Sequence, residues 1–259
     1  DKGTALAFYN RWYAPNNAIL VIAGAVSAEK VSELAKAYYA SIPRKEIKLR
    51  KRVTEPPQIA ARRLTMDSEQ VGQANWSRRY SAPSYNHGDT HLTYGLQVLS
   101  EIIGGGTTSR LYRSLVVEKK LAVSAGSWYR AGNIGPSVFG IYASPQDDIG
   151  IEMLEESIDR ELYLVLNNGV SLKEVGDAKT RLQRSAVFAK DSVTAPARII
   201  GSALATGQSI KDIESWPDRI SKVTREDVIA AAKSVLQMKH SLTAVLLPKI
   251  KISKRPGKI

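Results

Sequence analysis

Leu6-Ala7-Phe8-Tyr9-Asn10-Arg11-Trp12-Tyr13-Ala14-Pro15-Asn16-Asn17-Ala18-Ile19-Leu20-Val21-Ile22-Ala23 is the stretch that decides the fold. Leu6, Tyr9 and Tyr13 recur at helical spacing, Ala14 to Asn17 makes a turn, and Ala18 to Ala23 is an apolar run of β type. The same passage returns near the far end. Val228, Ala231, Ala232 and Val235 form a helical stripe, Gln237 to His240 make a break, and Leu242 to Leu247 is again apolar and β-like. A unit repeated at this distance points to a fold of two similar halves. The first copy starts at residue 1, so the chain is expected to be a piece of a larger protein.

Between the two copies the pattern is mixed. Ser27 caps a helix whose apolar stripe is Val31, Leu34, Ala35 and Tyr38, and Pro43 ends that element. Residues 44–60 are charged and contain Pro56-Pro57, which suits a linker. Ala74, Trp76 and Tyr80 then alternate with polar residues in a half-buried strand pattern, with Arg78 on the apolar face. Asp89 caps a helix carrying Leu92, Leu96, Leu99 and Ile103, which Gly104-Gly105-Gly106 stops. A short helix over 110–119 and strands near 122–129 and 137–143 follow. Ile151, Leu154, Ile158, Leu162 and Val165 make a long helical stripe closed by Asn167-Asn168-Gly169. Helices are expected over 171–190, 196–206 and 210–220, and Thr224-Arg225-Glu226-Asp227 caps a final helix before the last strand. Strands grouped before a run of helices predict an α+β fold, a layered sheet with helices packed mainly on one face. The expected domains are 1–43, the end of a first domain; 44–60, a basic linker; 61–250, a complete second domain; and 251–259, a basic tail.

The 259 residues carry 37 Lys and Arg against 25 Asp and Glu, a formal charge of +12. Arg44, Lys45, Lys48, Arg50, Lys51 and Arg52 crowd one segment, and Lys249, Lys251, Lys254, Arg255 and Lys258 the tail. Neither block is interleaved with the aromatic residues that single strands stack on, so both read as solvated segments and no nucleic-acid partner is expected. The chain has no cysteine, which excludes disulfides and thiolate metal sites. No run reaches the roughly 18 apolar residues of a membrane span.

Chemistry-bearing motifs are sparse. His87 and His91 are four apart, but no Glu lies between them and His87 precedes the helix cap; His240 stands alone. No Gly-x-Ser-x-Gly elbow is present. The glycine run lacks the Gly-Lys pair of a phosphate loop. Three glycines let a backbone approach another chain closely, or make a helix stop and a sharp turn. On the residues alone the plain turn is favoured.

Several segments in order resemble the pitrilysin/insulinase family of zinc metallopeptidases, which includes the mitochondrial processing peptidases. They are Phe8 to Ala18 with Val21-Ile22-Ala23-Gly24, Ser27 to Pro43, Ile103 to Gly106 with Ser109-Arg110-Leu111-Tyr112, and Val223 to Pro248. The resemblance implies two homologous domains per half, enclosing a peptide-sized chamber. It also implies that the zinc is held by an inverted His-x-x-Glu-His motif and a distant Glu upstream of the opening helix. This chain would then be the C-terminal, non-zinc part of a zinc-dependent endopeptidase, with no catalytic residue and no metal of its own.

Several further expectations follow from the resemblance. Gly104, Gly105, Gly106, Ser109 and Arg110 become the substrate-binding candidates. Family members often carry a substrate-contacting Arg and Tyr seven residues apart; aligning Leu121-Ala122 puts Val116 and Val123 there. That departure keeps a non-catalytic scaffold subunit as the alternative. The implied partners are the zinc-bearing half, a peptide substrate, and a second subunit in a homo- or hetero-dimer. The periplasm is the favoured compartment, the cytoplasm the other.

Overall fold

The computed structural model describes residues 1–48 and 56–249. The basic residues Arg50, Lys51 and Arg52 and the expected tail 251–259 lie outside the described residues. The chain divides into two compact units. One comprises residues 1–57 and 185–215, the other residues 58–184 and 216–259. The division differs from the sequence boundaries in grouping 185–215 with the N-terminal residues.

The larger unit holds a five-stranded sheet, ordered β1-β5-β2-β4-β3. Its strands are β1 (Arg62–Ser68), β2 (Asn75–Ala82), β3 (Ala122–Tyr129), β4 (Ser137–Pro145) and β5 (Ser241–Pro248). Three of the four pairings are antiparallel; β1 runs parallel to β5. Against one face lie α3 (Leu92–Gly104), α4 (Ile151–Asn168) and α9 (Arg225–Val235). The architecture is the expected α+β layer of helices on a mostly antiparallel sheet.

The long stripe on α4 is buried as the spacing requires, from Ile151 to Val165. It meets Trp76, Tyr80, Phe139 and Ile141 from the sheet in one apolar core. Thr224 caps α9 through a reciprocal box with Asp227. The sequence pattern missed β1, because all but its last residue are exposed and no buried face marks it. Pairing with β5, not burial of its own side chains, holds it in the sheet. The helix expected over 210–220 is two, α7 (Ile210–Glu214) and α8 (Trp216–Ser221). The break falls at Ser215, and Pro217 sits in the first turn of α8, where its missing N–H costs nothing.

The smaller unit contains α1 (Lys2–Trp12), α2 (Ala28–Tyr39), α6 (Ala195–Ala205) and α7. Asp1 caps α1 through Thr4, and Ser27 caps α2 through Lys30. The turn at Ala14-Pro15-Asn16-Asn17 is a short 3₁₀ helix, as its counterpart at Met238–His240 is. Asn17 donates to the Trp12 carbonyl, and Asn16 pairs with both backbone groups of Lys45. The expected strand at Ala18 to Ala23 is not a strand. It lacks ladder partners among the described residues, and Ile19, Leu20 and Ile22 are 52%, 53% and 51% exposed. The stripe on α2 likewise has no buried residue, with Leu34 and Tyr38 exposed. α5 (Leu172–Lys190) begins in the larger unit and ends in the smaller.

Candidate functional site

Side chains of a strand alternate between faces, so the registers define three rows across the helix-free face of the sheet. The first is Arg62, Leu242, Arg79, Gly140, Trp128. The second is Leu64, Ala244, Ser77, Tyr142, Gly126. The third is Met66, Leu246, Asn75, Ser144, Ser124. Leu64 and Met66 remain 60% and 57% exposed on this face.

Trp128 and Tyr142 cross to the neighbouring strand and cover glycines. A Cβ on Gly140 would lie 2.3 Å from the Trp128 indole, and one on Gly126 would lie 2.6 Å from the Tyr142 hydroxyl oxygen. The Arg130 guanidinium sits over the Trp128 ring at 5.7 Å. Sequence reasoning missed this surface. Its signal was present in the alternation of small and aromatic residues at 126/128 and 140/142.

The opposite face explains Arg78. It is 1% exposed, and its guanidinium donates to Thr243 Oγ1 at 2.9 Å, to Glu155 at 2.6 Å and to Asp159. Burial alone would lower its pKa; the hydrogen bond to Asp159, together with the charge of Asp159 and the interaction with Tyr80, outweighs this and raises it. An arginine on an apolar strand face is thus a buried ion pair with α4.

The sequence-derived candidates occupy different environments. Gly104 is buried in the last turn of α3. A Cβ there would come 1.8 Å from the Ser127 nitrogen, so α3 and β3 touch through backbone. Gly105 is the helix C-cap, and Gly106, at φ +109°, faces open space. Ser109 is buried and its hydroxyl donates to the Gly106 carbonyl at 2.6 Å. Arg110 forms a bidentate pair with Glu174 at 2.6 and 2.9 Å and also donates to the Gly169 carbonyl. The structure therefore joins Gly106 to Ser109 in one turn, while Arg110 ties that turn to the start of α5. Burial pushes the Glu174 carboxyl up, but the hydrogen bonds from Arg110 and Ser171 outweigh it and hold it at about 2.

The helix expected over 110–119 is a π-helix, Tyr112–Glu118. Its wide turn closes with the Lys119 N–H on the Ser114 carbonyl at 2.9 Å, and Lys120 follows at φ +52°. Such turns are rare and recur at functional sites. Val116 lies in this turn, packed against the core, whereas Val123 sits at a bulge in β3 and is 42% exposed. Neither side chain can donate or accept a hydrogen bond.

Beside the π-helix opens a cleft of about 670 Å³, lined by Thr108, Arg110, Arg113, Glu118, Glu161 and Arg181 among others. Its charges largely neutralise one another: Arg110 with Glu174, Arg113 with Glu118, Lys119 with Glu161. Among the described residues no group of three or more His, Cys, Asp or Glu could hold a metal ion. His87 and His91 are exposed, in the turn before α3. The described residues do not fit a zinc site.

Residues 2–182 match the family described as Peptidase M16 inactive domain. The chain belongs to that family. An uncharacterized zinc protease of Streptomyces coelicolor is 28% identical over 245 residues, covering 92% of this chain and 52% of the relative. Among solved structures, a protease from Helicobacter pylori superposes with a TM-score of 0.83 at 23% identity, covering 93% of this chain and 58% of that one. The periplasmic protease PqqL from Escherichia coli gives 0.62 at 20% identity, covering 87% and 25%. At these identities the structural likeness is one of fold. The chain spans about half the length of the curated relatives it matches. It is homologous to zinc proteases and corresponds to a non-catalytic domain of that family. Among the described residues no helix is long and apolar enough to cross a membrane.

Proposed function

We propose that this chain is the non-catalytic, C-terminal part of a zinc-dependent endopeptidase. The observation that carries the reading is the apolar run Ile19-Leu20-Val21-Ile22, in which Ile19, Leu20 and Ile22 are exposed, followed by an α2 with no buried residue. An extended apolar run without ladder partners among the described residues reads as one part of a sheet whose other strands belong elsewhere. In this reading the parent's zinc-bearing half supplies those strands and the metal. Residues 1–43 close that half, and residues 61–250 act as the second domain. The helix-free face forms one wall of a chamber that receives a peptide. The turn from Gly104 to Arg110, with Gly106 at its open corner, stands near that peptide, and the parent pairs with a second subunit in a homo- or hetero-dimer. The periplasm is the proposed compartment, in keeping with a shared fold with a periplasmic protease.

The test is cleavage of a quenched peptide by the parent and by this chain, each with and without chelator. Chelator-sensitive cleavage by the parent alone is expected. Cleavage by this chain, or stoichiometric zinc bound to it, would overturn the assignment.

A second reading, a scaffold subunit of the same fold, is favoured by Val116 and Val123. A pair of valines there cannot hydrogen-bond a peptide. Absence of cleavage and of zinc in the parent, even with candidate partner subunits added, would decide for it.

A further inference from the structure

We infer that the helix-free face of the sheet binds acidic peptide segments, through Arg62, Arg79 and Arg130. This deepens the chamber-wall reading and rests on it. The face is defined by register, and its three rows contain no Asp or Glu. The acidic residue of β1, Asp67, has the parity of Arg63 and Thr65 and lies on the helix side. Arg63 belongs to that side as well, where it pairs with Glu155 at 2.7 Å.

Arg62 and Arg79 share one row, with Leu242 between them, and both are exposed. Arg130 joins the far end of that row by stacking over Trp128. Among the described residues none of the three has an ion-pair partner. Elsewhere in the unit the cations of the charged cleft and the core are neutralised by carboxylates. Unpaired guanidiniums on a face without carboxylates favour an anionic occupant. Neighbouring strands lie about 4.8 Å apart, so Arg62 and Arg79 are separated by about 10 Å, as are Arg79 and Trp128. An extended chain crossing the strands covers about 10 Å in three residues. Carboxylates spaced in that way would meet successive arginines. The flat rings of Trp128 and Tyr142 and the side chains of Leu242 and Leu64 supply apolar contact between the charges.

The experiment is fluorescence anisotropy with the full chain and rhodamine-labelled peptides of equal length: Glu-containing, neutral, and Lys-containing. A single-stranded oligonucleotide is the fourth probe. The Glu-containing peptide is expected to bind tightest, and more weakly as salt rises. Arg62→Gln, Arg79→Gln and Arg130→Gln should each weaken it by up to about fivefold, the scale of an exposed charge pair. The Lys versions of the same positions should retain most of the affinity. All three arginines are on the surface, and a thermal melt of each variant verifies its fold. Equal binding of all three peptides, unmoved by the variants, would overturn the inference and leave the chamber-wall reading standing. No binding of any peptide would overturn both. Tighter, arginine-dependent binding of the oligonucleotide would replace the peptide with nucleic acid.

Discussion

The Arg78 guanidinium on β2 lies 2.6 Å from the Glu155 carboxylate on α4, and the same carboxylate holds Arg63 of β1 at 2.7 Å. One acid thus clamps a central strand, an edge strand and the covering helix together. Arg63 is part-exposed, whereas Arg78 is sealed under the helix.

Removing Arg78 should therefore cost far more than removing Arg63. Arg78→Ala leaves a cavity beneath α4 and strips Asp159 of a buried partner. The expected loss is about 3–5 kcal/mol, the range for breaking a buried pair on one side. Arg63→Ala should cost at most about 1 kcal/mol. Urea unfolding of the two variants, read by circular dichroism, checks the ratio.

Glu174 predicts an acid-sensitive contribution to stability. Its folded pKa is about 2 against an ordinary 4.5. A depressed carboxyl stabilises the fold fully above the unfolded value and loses that contribution as pH falls through the folded value. The gap in melting temperature between the natural chain and Glu174→Gln should be largest above about pH 4.5 and narrow toward pH 2. A gap that stays constant across that window would show that Arg110 and Glu174 are not coupled.

The glycine run separates two physical demands that a sequence cannot distinguish. Gly104→Ala drives a Cβ to 1.8 Å from backbone nitrogen, which only movement of α3 against β3 can relieve. Gly106→Ala meets no atom and bears only the strain of φ +109°. The first should cost about 3 kcal/mol or more, as overpacking does, and the second about 1–2 kcal/mol. If the turn also receives peptide, Gly106→Ala should weaken peptide binding beyond its effect on the melting temperature.

The same contrast explains what was legible beforehand. The stripe on α4, the caps at Ser27 and Thr224, and the alternation of β2 follow local periodicity, and the structure contains each of them. Ala18 to Ala23 has as strong a β pattern as Leu242 to Leu247, yet only the second is a strand. The difference is tertiary: β5 sits between β1 and β2, while the first run has no ladder partner among the described residues. The exposed β1, lacking a buried face, left no pattern to read. The partner of Arg110 was equally hidden, since Glu174 lies 64 residues away. The arginine row of the open face emerges only once the registers of five strands are known.

Gly140 offers the complementary case, where the obstruction is a side chain instead of backbone. The Cβ of Gly140→Ala would collide with the Trp128 indole at 2.3 Å. That ring lies on the open face of the sheet, so it can swing outward at small cost. The variant should lose about 1 kcal/mol or less, well below Gly104→Ala, because rotamer adjustment costs about that much. The displaced indole should gain water and red-shift its emission. The shift is assigned to Trp128 by its disappearance in a Trp128→Phe background, which removes one of the chain's four tryptophans. A Gly140→Ala chain as destabilised as Gly104→Ala would mean that Trp128 is held rigidly, as part of a surface already shaped to receive a ligand.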